Sequence, residues 1–135
     1  MTRIESDVAM INKSQEKIFN FLSDMNNLGK LMPEQVVNWK SDNDSCTFTI
    51  QGMADISLKI TDRIPSSKII MASNDKTPLN FTLECEISQV KEKQACGRII
   101  INAELNAMME IMAKNPLQNF VNMLAGKLKD LEDRY

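Results

Sequence analysis

Histidine is absent from all 135 residues of this chain, and its absence narrows the chemistry that the protein can perform. No Ser-His-Asp or Cys-His catalytic arrangement can form, and no metal site can use an imidazole ligand. The only tyrosine is Tyr135, so an internal phenol acid is missing as well. Catalysis by Asp, Glu, Lys or Cys remains open, but we predict no metal and no cofactor.

A basic stripe and a long apolar run are also missing. The net charge is −2 and the lysines are scattered, whereas a nucleic-acid partner needs a continuous basic surface. No run approaches the ~20 apolar residues that span a bilayer, and Glu5 and Asp7 stand where a secretory signal would be apolar. Three cysteines without a CxxC pair are expected to be reduced thiols. We therefore predict a cytoplasmic protein without a nucleic-acid partner or stable membrane insertion; its oligomeric state stays open.

The composition is that of an ordinary globular domain, and its first part is predicted to contain one strand and two short helices. Hydrophobic residues make up 43% and charged residues 25% of the chain, which suits one domain over residues 1–135. Residues 3–12 alternate loosely between apolar and polar side chains, as a strand does. Ser14 is a good N-cap for a first helix, and a second helix is predicted over 26–32, before Pro33.

Strand signals dominate the middle of the chain. Alternation over 46–51, 56–64, 81–88 and 99–105, with turn residues between these segments, predicts an antiparallel sheet with one solvated face. Asp62 lies an even number of residues after the apolar positions of its strand, so a regular strand places it on the same face as they are. It then points inward if the strand stays regular and into solvent if the strand ends earlier.

The last part of the chain predicts a long amphipathic helix. From Pro116 onward the apolar residues recur with helical spacing and share an arc of ~100°: Leu117, Phe120, Val121, Leu124, Leu128 and Leu131. The helical segment starts near Asn106 and can bend at Pro116, which suits a first helical turn. A sheet that packs on one such helix must curl around it, and this arrangement often leaves a cavity.

This order of elements resembles the helix-grip fold of the START and birch-pollen-allergen-like (SRPBCC) superfamily, and within it the bacterial polyketide cyclase/dehydrase and lipid-transport group. The resemblance covers essentially the whole chain, and the segments that carry it are 14–23, 27–28, 31–33, 99–105 and 116–117. It implies an α+β fold in which a curved antiparallel sheet of six to seven strands wraps around a long C-terminal helix, with two short helices after the first strand. It also implies an apolar cavity between sheet and helix, but no catalytic residue can be carried over.

Inward-facing apolar residues are the candidates for the lining of that cavity. They are Met32, Phe48, Ile50, Ile56, Leu58, Met71, Leu83, Cys85, Ile99, Ile101, Met109, Met112, Phe120 and Leu124. The same pattern fits a solid core, so periodicity alone does not separate the two interpretations. Methionines cluster around the last helix, where flexible thioethers can adapt to an irregular ligand, and Met53 is a further candidate at the cavity mouth.

We predict that the protein binds or transports a small hydrophobic ligand, which the resemblance suggests is lipid, sterol-like, quinone or polyketide-like. The alternative is a cyclase/dehydrase-like enzyme, which requires an ionisable side chain with a shifted pKa inside the cavity. A third interpretation is a module that holds a partner peptide in its groove. Cys46 and Cys85 are disfavoured as nucleophiles, because burial on apolar faces raises a thiol pKa. The outward pair Glu84 and Glu86 is interpreted as solubilising charge rather than as an acid/base pair.

Overall fold

The computed structural model describes residues 2–52, 54–74 and 80–130, and its elements follow the predicted order. They are β1 (Thr2–Glu5), β2 (Ala9–Ile11), α1 (Gln15–Leu22), α2 (Met25–Leu28), a 3-10 helix (Gly29–Leu31), β3 (Val36–Ser41), β4 (Ser45–Ile50), β5 (Ala54–Ile64), β6 (Lys68–Ser73), β7 (Phe81–Lys91), β8 (Gln94–Ala103) and α3 (Ala107–Lys129). The strands form one antiparallel sheet in the order β1-β8-β7-β6-β5-β4-β3, and β2 also pairs with β8. This confirms the predicted α+β architecture.

Within the described residues the sheet has eight strands instead of the predicted six to seven, because the opening strand is divided in two. The division falls at Ser6, whose backbone N–H donates to the Ile99 carbonyl at 2.8 Å while its hydroxyl accepts from the Ile99 N–H at 2.9 Å. The side chain thus replaces a backbone acceptor where the ladder is interrupted. Both halves of the strand remain paired with β8.

Side-chain caps fix the beginnings of the helices. The Ser14 hydroxyl accepts from the Lys17 N–H at 3.3 Å and the Asn106 side chain accepts from the Met109 N–H at 2.9 Å, so the predicted starts of α1 and α3 are confirmed. Helix α3 then continues through Pro116 without ending there. The C-terminal stripe is buried as predicted from Leu117 to Leu128, while Leu131 lies outside the described residues.

Two bulges decide which side chains face inward. In β3 an extra residue lies between Val37 and Lys40, where Asn38 has φ +58°, and the bulge places Trp39 opposite Phe48 on the inner face. In β5 the register shifts between Ile60 and Asp62. After this shift the alternation of inward and outward side chains is reversed, so Asp62 is exposed and does not point into the interior.

The inner face of the sheet packs against α3, which contacts β8, β1, β2 and the 3-10 helix. Two polar contacts fix the second half of α3 in place: Gln118 Nε2 donates to the Glu5 carbonyl at 2.7 Å, and the Asp7 N–H donates to Asn122 Oδ1 at 3.0 Å. The outer face carries ion pairs. Glu86 lies 3.4 Å from Arg98 and Glu84 lies 3.9 Å from Lys68, so each of these two carboxylates forms an ion pair with a basic side chain.

The first half of α3 packs much less than the second. Its larger apolar side chains stand in solvent: Met108 is 71%, Ile111 82% and Met112 72% exposed. Ala113 is the buried member of this half. The grip of the sheet on α3 therefore begins at about Leu117.

A candidate ligand site beside the last helix

The candidate site is a cleft of about 260 Å³ between α3, the loop after the 3-10 helix and the turn that joins β4 to β5. Its lining consists of Pro33, Gln35, Ile50, Gln51, Gly52, Pro116, Asn119, Phe120 and Met123. The two loops are joined by a hydrogen bond of 2.8 Å from the Gln51 N–H to the Gln35 carbonyl. Gly52 has φ +79°, a conformation that its missing Cβ makes accessible and that lets β4 turn back sharply into β5.

The floor of the cleft is apolar and rigid. Phe120 and Ile50 are 7% and 9% exposed, so only small parts of their surfaces reach the opening. The Phe120 ring stacks on Phe48 with centroids 6.4 Å apart, and Phe48 stacks on Trp39 at 5.3 Å. The interplanar angles are 16° and 22°, within the offset-stacked range of aromatic pairs. The stack fixes the orientation of the Phe120 ring at the floor.

The rim of the cleft is polar but uncharged. Gln35, Gln51 and Asn119 are exposed and come from three different segments of the chain, and Met123 completes the rim. Among the described residues that line the cleft, none is ionisable. Carboxamides both donate and accept hydrogen bonds, so this rim can pair with a carbonyl or a hydroxyl group of a neutral molecule.

Charge appears only where the cleft opens into a shallow groove farther along α3. The groove shares Pro33, Gln35 and Met123 with the cleft. Its remaining described lining includes Glu34, Lys127 and Asp130. An elongated molecule seated in the cleft would leave it along this charged surface.

The predicted lining residues divide into four groups. Ile50 and Phe120 border the cleft. Met32 is half-buried against the core, and Met109 is half-buried beside a separate open depression at the start of α3. The following residues are buried in the core: Phe48, Ile56, Leu58, Met71, Leu83, Cys85, Ile99, Ile101 and Leu124.

Met112 forms the fourth group, and its placement differs from the expectation. It is exposed on the first half of α3 because that half extends beyond the grip of the sheet. Met53 lies outside the described residues.

The polar rim was missed by reasoning from apolar periodicity, although a signal for part of it exists. Pro116, Asn119, Phe120 and Met123 have the spacing i, i+3, i+4 and i+7, so they share one helix face at the edge of the buried stripe. No comparable signal exists for Gln35 and Gln51, which lie in a loop and a turn.

The thiols and carboxylates do not form a reactive centre in this structure. Burial raises the pKa of Cys46 and of Cys85 to about 12, and neither borders the cleft. Within residues 2–52, 54–74 and 80–130, no three Cys, Asp or Glu side chains are grouped to hold a metal ion. None of the helices in the described part of the chain has both the length and the apolar character needed to cross a bilayer.

Comparison with known proteins gives matches in structure but not in sequence. No family model matches the chain, and no curated protein matches it. A START superfamily protein from Mycobacterium smegmatis has a TM-score of 0.71 at 11% identity, over 98% of this chain and 97% of its own. The protein XoxI from Bacillus cereus has a TM-score of 0.78 at 11% identity, over 99% and 97%. The Aha1 dimer from Colwellia psychrerythraea has a TM-score of 0.67 at 20% identity, over 99% and 98%.

These likenesses span nearly the whole length of each chain. The predicted fold class is therefore confirmed: this chain has the helix-grip fold of START-like proteins. Fold alone does not decide activity, because a shared scaffold can carry unrelated sites. The function has to be argued from the cleft itself.

Proposed function

We propose that the protein binds and carries a small hydrophobic ligand in the cleft beside α3. The observation that supports this most is the combination of an apolar floor at Phe120 and Ile50 with a rim free of ionisable groups among the described residues. Ligand sites are typically concave and apolar, with a few polar groups that orient the ligand. A START-like fold is compatible with such a ligand.

The volume of the cleft limits the size of the ligand part that it can hold. A cavity of ~150 Å³ holds benzene, whereas sites for drug-sized molecules occupy ~300–1,000 Å³. The cleft, at about 260 Å³, lies between these values. It therefore suits the ring of a quinone or polyketide-like molecule, or the end of a lipid chain. A whole sterol would extend into the adjoining groove.

Burial of apolar surface alone gives such a ligand modest affinity. Each buried methylene contributes ~0.8 kcal/mol, so about eight of them contribute ~6 kcal/mol before the costs of association. Micromolar binding corresponds to ~8 kcal/mol net. Polar contacts at the rim are therefore needed to reach it.

The test is a thermal-shift and native mass-spectrometry screen with a phospholipid, a sterol, a short-chain quinone and an aromatic polyketide. A ligand at 100 times its Kd stabilises the folded state by ~2.7 kcal/mol, which raises the Tm by several degrees. Asn119→Trp should fill the mouth and abolish the shift. Lys114→Trp is the control, since Lys114 is exposed on the same helix, does not line the cleft and lies about 140° around the helix axis from Asn119. If no class of molecule raises the Tm or is retained by the protein, the proposal is wrong.

A cyclase/dehydrase-like enzyme acting on a polyketide-like substrate is the second candidate, and the cleft favours binding over it. Proton transfer needs an acid or base within hydrogen-bond reach of the substrate. Glu34, Lys127 and Asp130 lie in the open groove, not in the cleft. Turnover of a polyketide-like substrate that Glu34→Gln abolishes would favour the enzyme instead.

We propose a cytoplasmic location as well. Cys46, Cys85 and Cys96 are free thiols, and unpaired cysteines are typical of reducing compartments. Fractionation of cells that produce the native chain would test this; recovery of the protein outside the cytoplasm would contradict it.

A further inference from the structure

We propose that the cleft selects uncharged molecules of about one-ring size that carry a carbonyl or hydroxyl group, and that the carboxamides of Gln35, Gln51 and Asn119 determine this selectivity. The inference rests on the proposed binding function and adds the chemical class of ligand that the site accepts. It also names the residues that would discriminate between ligands of the same shape.

Polarity increases from the floor of the cleft to its rim. Buried Phe120 and Ile50 form the floor, while the three carboxamides stand exposed at the opening. A molecule with an apolar body and one polar end therefore fits in a single orientation, with the body on Phe120 and the polar atom at the rim. The reverse orientation would bury an unpaired polar group, which costs ~1–3 kcal/mol in proteins.

The three carboxamides of the rim are available to a ligand. Each comes from a different segment, namely the loop before β3, the β4–β5 turn and α3, and all three border one opening. Within the described part of the chain their side chains make no hydrogen bond to another residue. They are free to pair with a ligand without losing a structural contact.

A charged ligand finds no partner of opposite charge in the described lining of the cleft. A carboxylate drawn into the cleft loses hydration and meets no cationic side chain among the described lining residues. A cation likewise meets no carboxylate there. At the rim an ion loses part of its hydration without gaining a charge partner, which is unfavourable, so neutral molecules should bind more tightly than ions of the same shape.

The test uses three ring-sized probes of similar shape: acetophenone, which is neutral and has a carbonyl; benzoate, which is an anion at neutral pH; and ethylbenzene, which is neutral and has no polar atom. Each is titrated into the full chain and followed by two-dimensional amide NMR, in which the side-chain NH₂ groups of Gln and Asn are observed directly. We expect acetophenone to shift the NH₂ signals of Gln35, Gln51 or Asn119 and to bind ~2–10-fold more tightly than ethylbenzene, as one or two net hydrogen bonds allow. We expect benzoate to bind at least ~10-fold more weakly than acetophenone.

Variants separate selectivity from simple binding. Gln51→Leu and Asn119→Leu should each reduce acetophenone affinity by a few-fold and leave ethylbenzene affinity equal or higher, because the apolar floor is retained. Lys114→Leu, on the same helix but about 140° around its axis from Asn119, should change neither affinity, because Lys114 is exposed and does not line the cleft.

The possible failures are distinguishable. If none of the three probes shifts a cleft resonance, the proposed binding function fails at this site. If all three bind with similar affinity, or if the Leu variants lose ethylbenzene and acetophenone equally, the cleft binds ligands but the inferred selectivity is wrong.

Discussion

Gly29 lies directly against the indole ring of Trp39, and this contact explains why the smallest residue stands in the 3-10 helix. A Cβ at Gly29 would lie 2.5 Å from Trp39 Nε1 and 2.6 Å from Cε2. The ring has little freedom to move, since Nε1 donates to Ser41 Oγ at 3.0 Å and the indole stacks on Phe48. Overpacking is therefore the reason for glycine here, because the backbone φ of −58° is accessible to any residue.

The first prediction follows from this contact. Gly29→Ala should lower the free energy of unfolding by about 1–3 kcal/mol, as overpacked cores do. Gly126→Ala is the matched control: it is helical, a new Cβ would meet nothing within 4 Å, and it should stabilise by ~0.5–1 kcal/mol. Urea denaturation of both variants measures whether each substitution lowers or raises the free energy of unfolding. Equal effects of the two substitutions would contradict the packing argument.

The second prediction concerns alkaline stability. The pKa of Cys85 is raised to about 12 by burial, above its ordinary value of 9.0, so the native state keeps this proton after the unfolded chain has lost it. The contribution of this protonated thiol to the free energy of unfolding is fully present below pH ~8.5. It declines as the pH rises toward 12, by at most ~1.4 kcal/mol per pH unit. Urea unfolding between pH 8 and 11 should show a steeper decline for the native chain than for Cys85→Ala. Parallel declines would mean that the thiol does not contribute.

Single residues show where sequence reasoning reached its limit. Ser14 was predicted as a cap because the chemistry of a cap is local, and the start of α3 near Asn106 was predicted from the helical spacing. A solvated position was the preferred interpretation for Asp62 and it is exposed, but the cause, a bulge in the pairing of β5 with β6, was not visible in the sequence. The amides Gln35 and Gln51 were equally hidden, because their meeting depends on two loops that only the folded sheet brings together.

At the scale of elements, α3 is one helix in two environments. Its second half is held by the sheet, while its first half presents apolar side chains to solvent. Apolar spacing predicted the buried stripe correctly, since it depends on the helix alone. How much of α3 the sheet covers depends on where the strands end. For that reason Met112 was expected in the cavity lining although it is exposed.

The third prediction uses this difference in environment. With dilute hydrogen peroxide, Met108 and Met112 should be oxidised well before Met25 and Met71, which are both 0% exposed. Peptide mass spectrometry after timed exposure gives the four rates, and the urea-unfolded chain serves as the control in which the rates should converge. Slow oxidation of Met108 and Met112 in the folded chain would show that this half of α3 is covered in solution.

At the scale of the whole molecule, the first and the last of the described strands, β1 and β8, pair with each other in the sheet. Ile4 pairs with Ile101 and Thr2 with Ala103, so β1 completes the ladder against β8, about 100 residues later in the sequence. The fold class could be predicted because apolar residues recur every two positions in the strands and about every 3.6 positions in the helices, which gives the order of the elements. The cleft could not, because it arises from the meeting of three elements that are distant in sequence.

The fourth prediction tests this closure. Ile4→Ala should lower the free energy of unfolding by about 2–5 kcal/mol, the usual cost of truncating a buried isoleucine. Val8→Ala is the control in the segment between β1 and β2: Val8 is 57% exposed, and its truncation should change stability by less than ~0.5 kcal/mol. Both values come from denaturant unfolding followed by circular dichroism. Similar values for the two variants would place β1 outside the cooperative core.

The stack of Trp39, Phe48 and Phe120 has one more consequence. Trp39 is the only tryptophan in the chain, and its indole lies two ring contacts away from the floor of the cleft. The emission of this single indole is therefore an intrinsic optical reporter of the cleft. An electron-accepting ring that settles on Phe120 should quench that emission, so occupancy can be followed in real time with the unlabelled native chain.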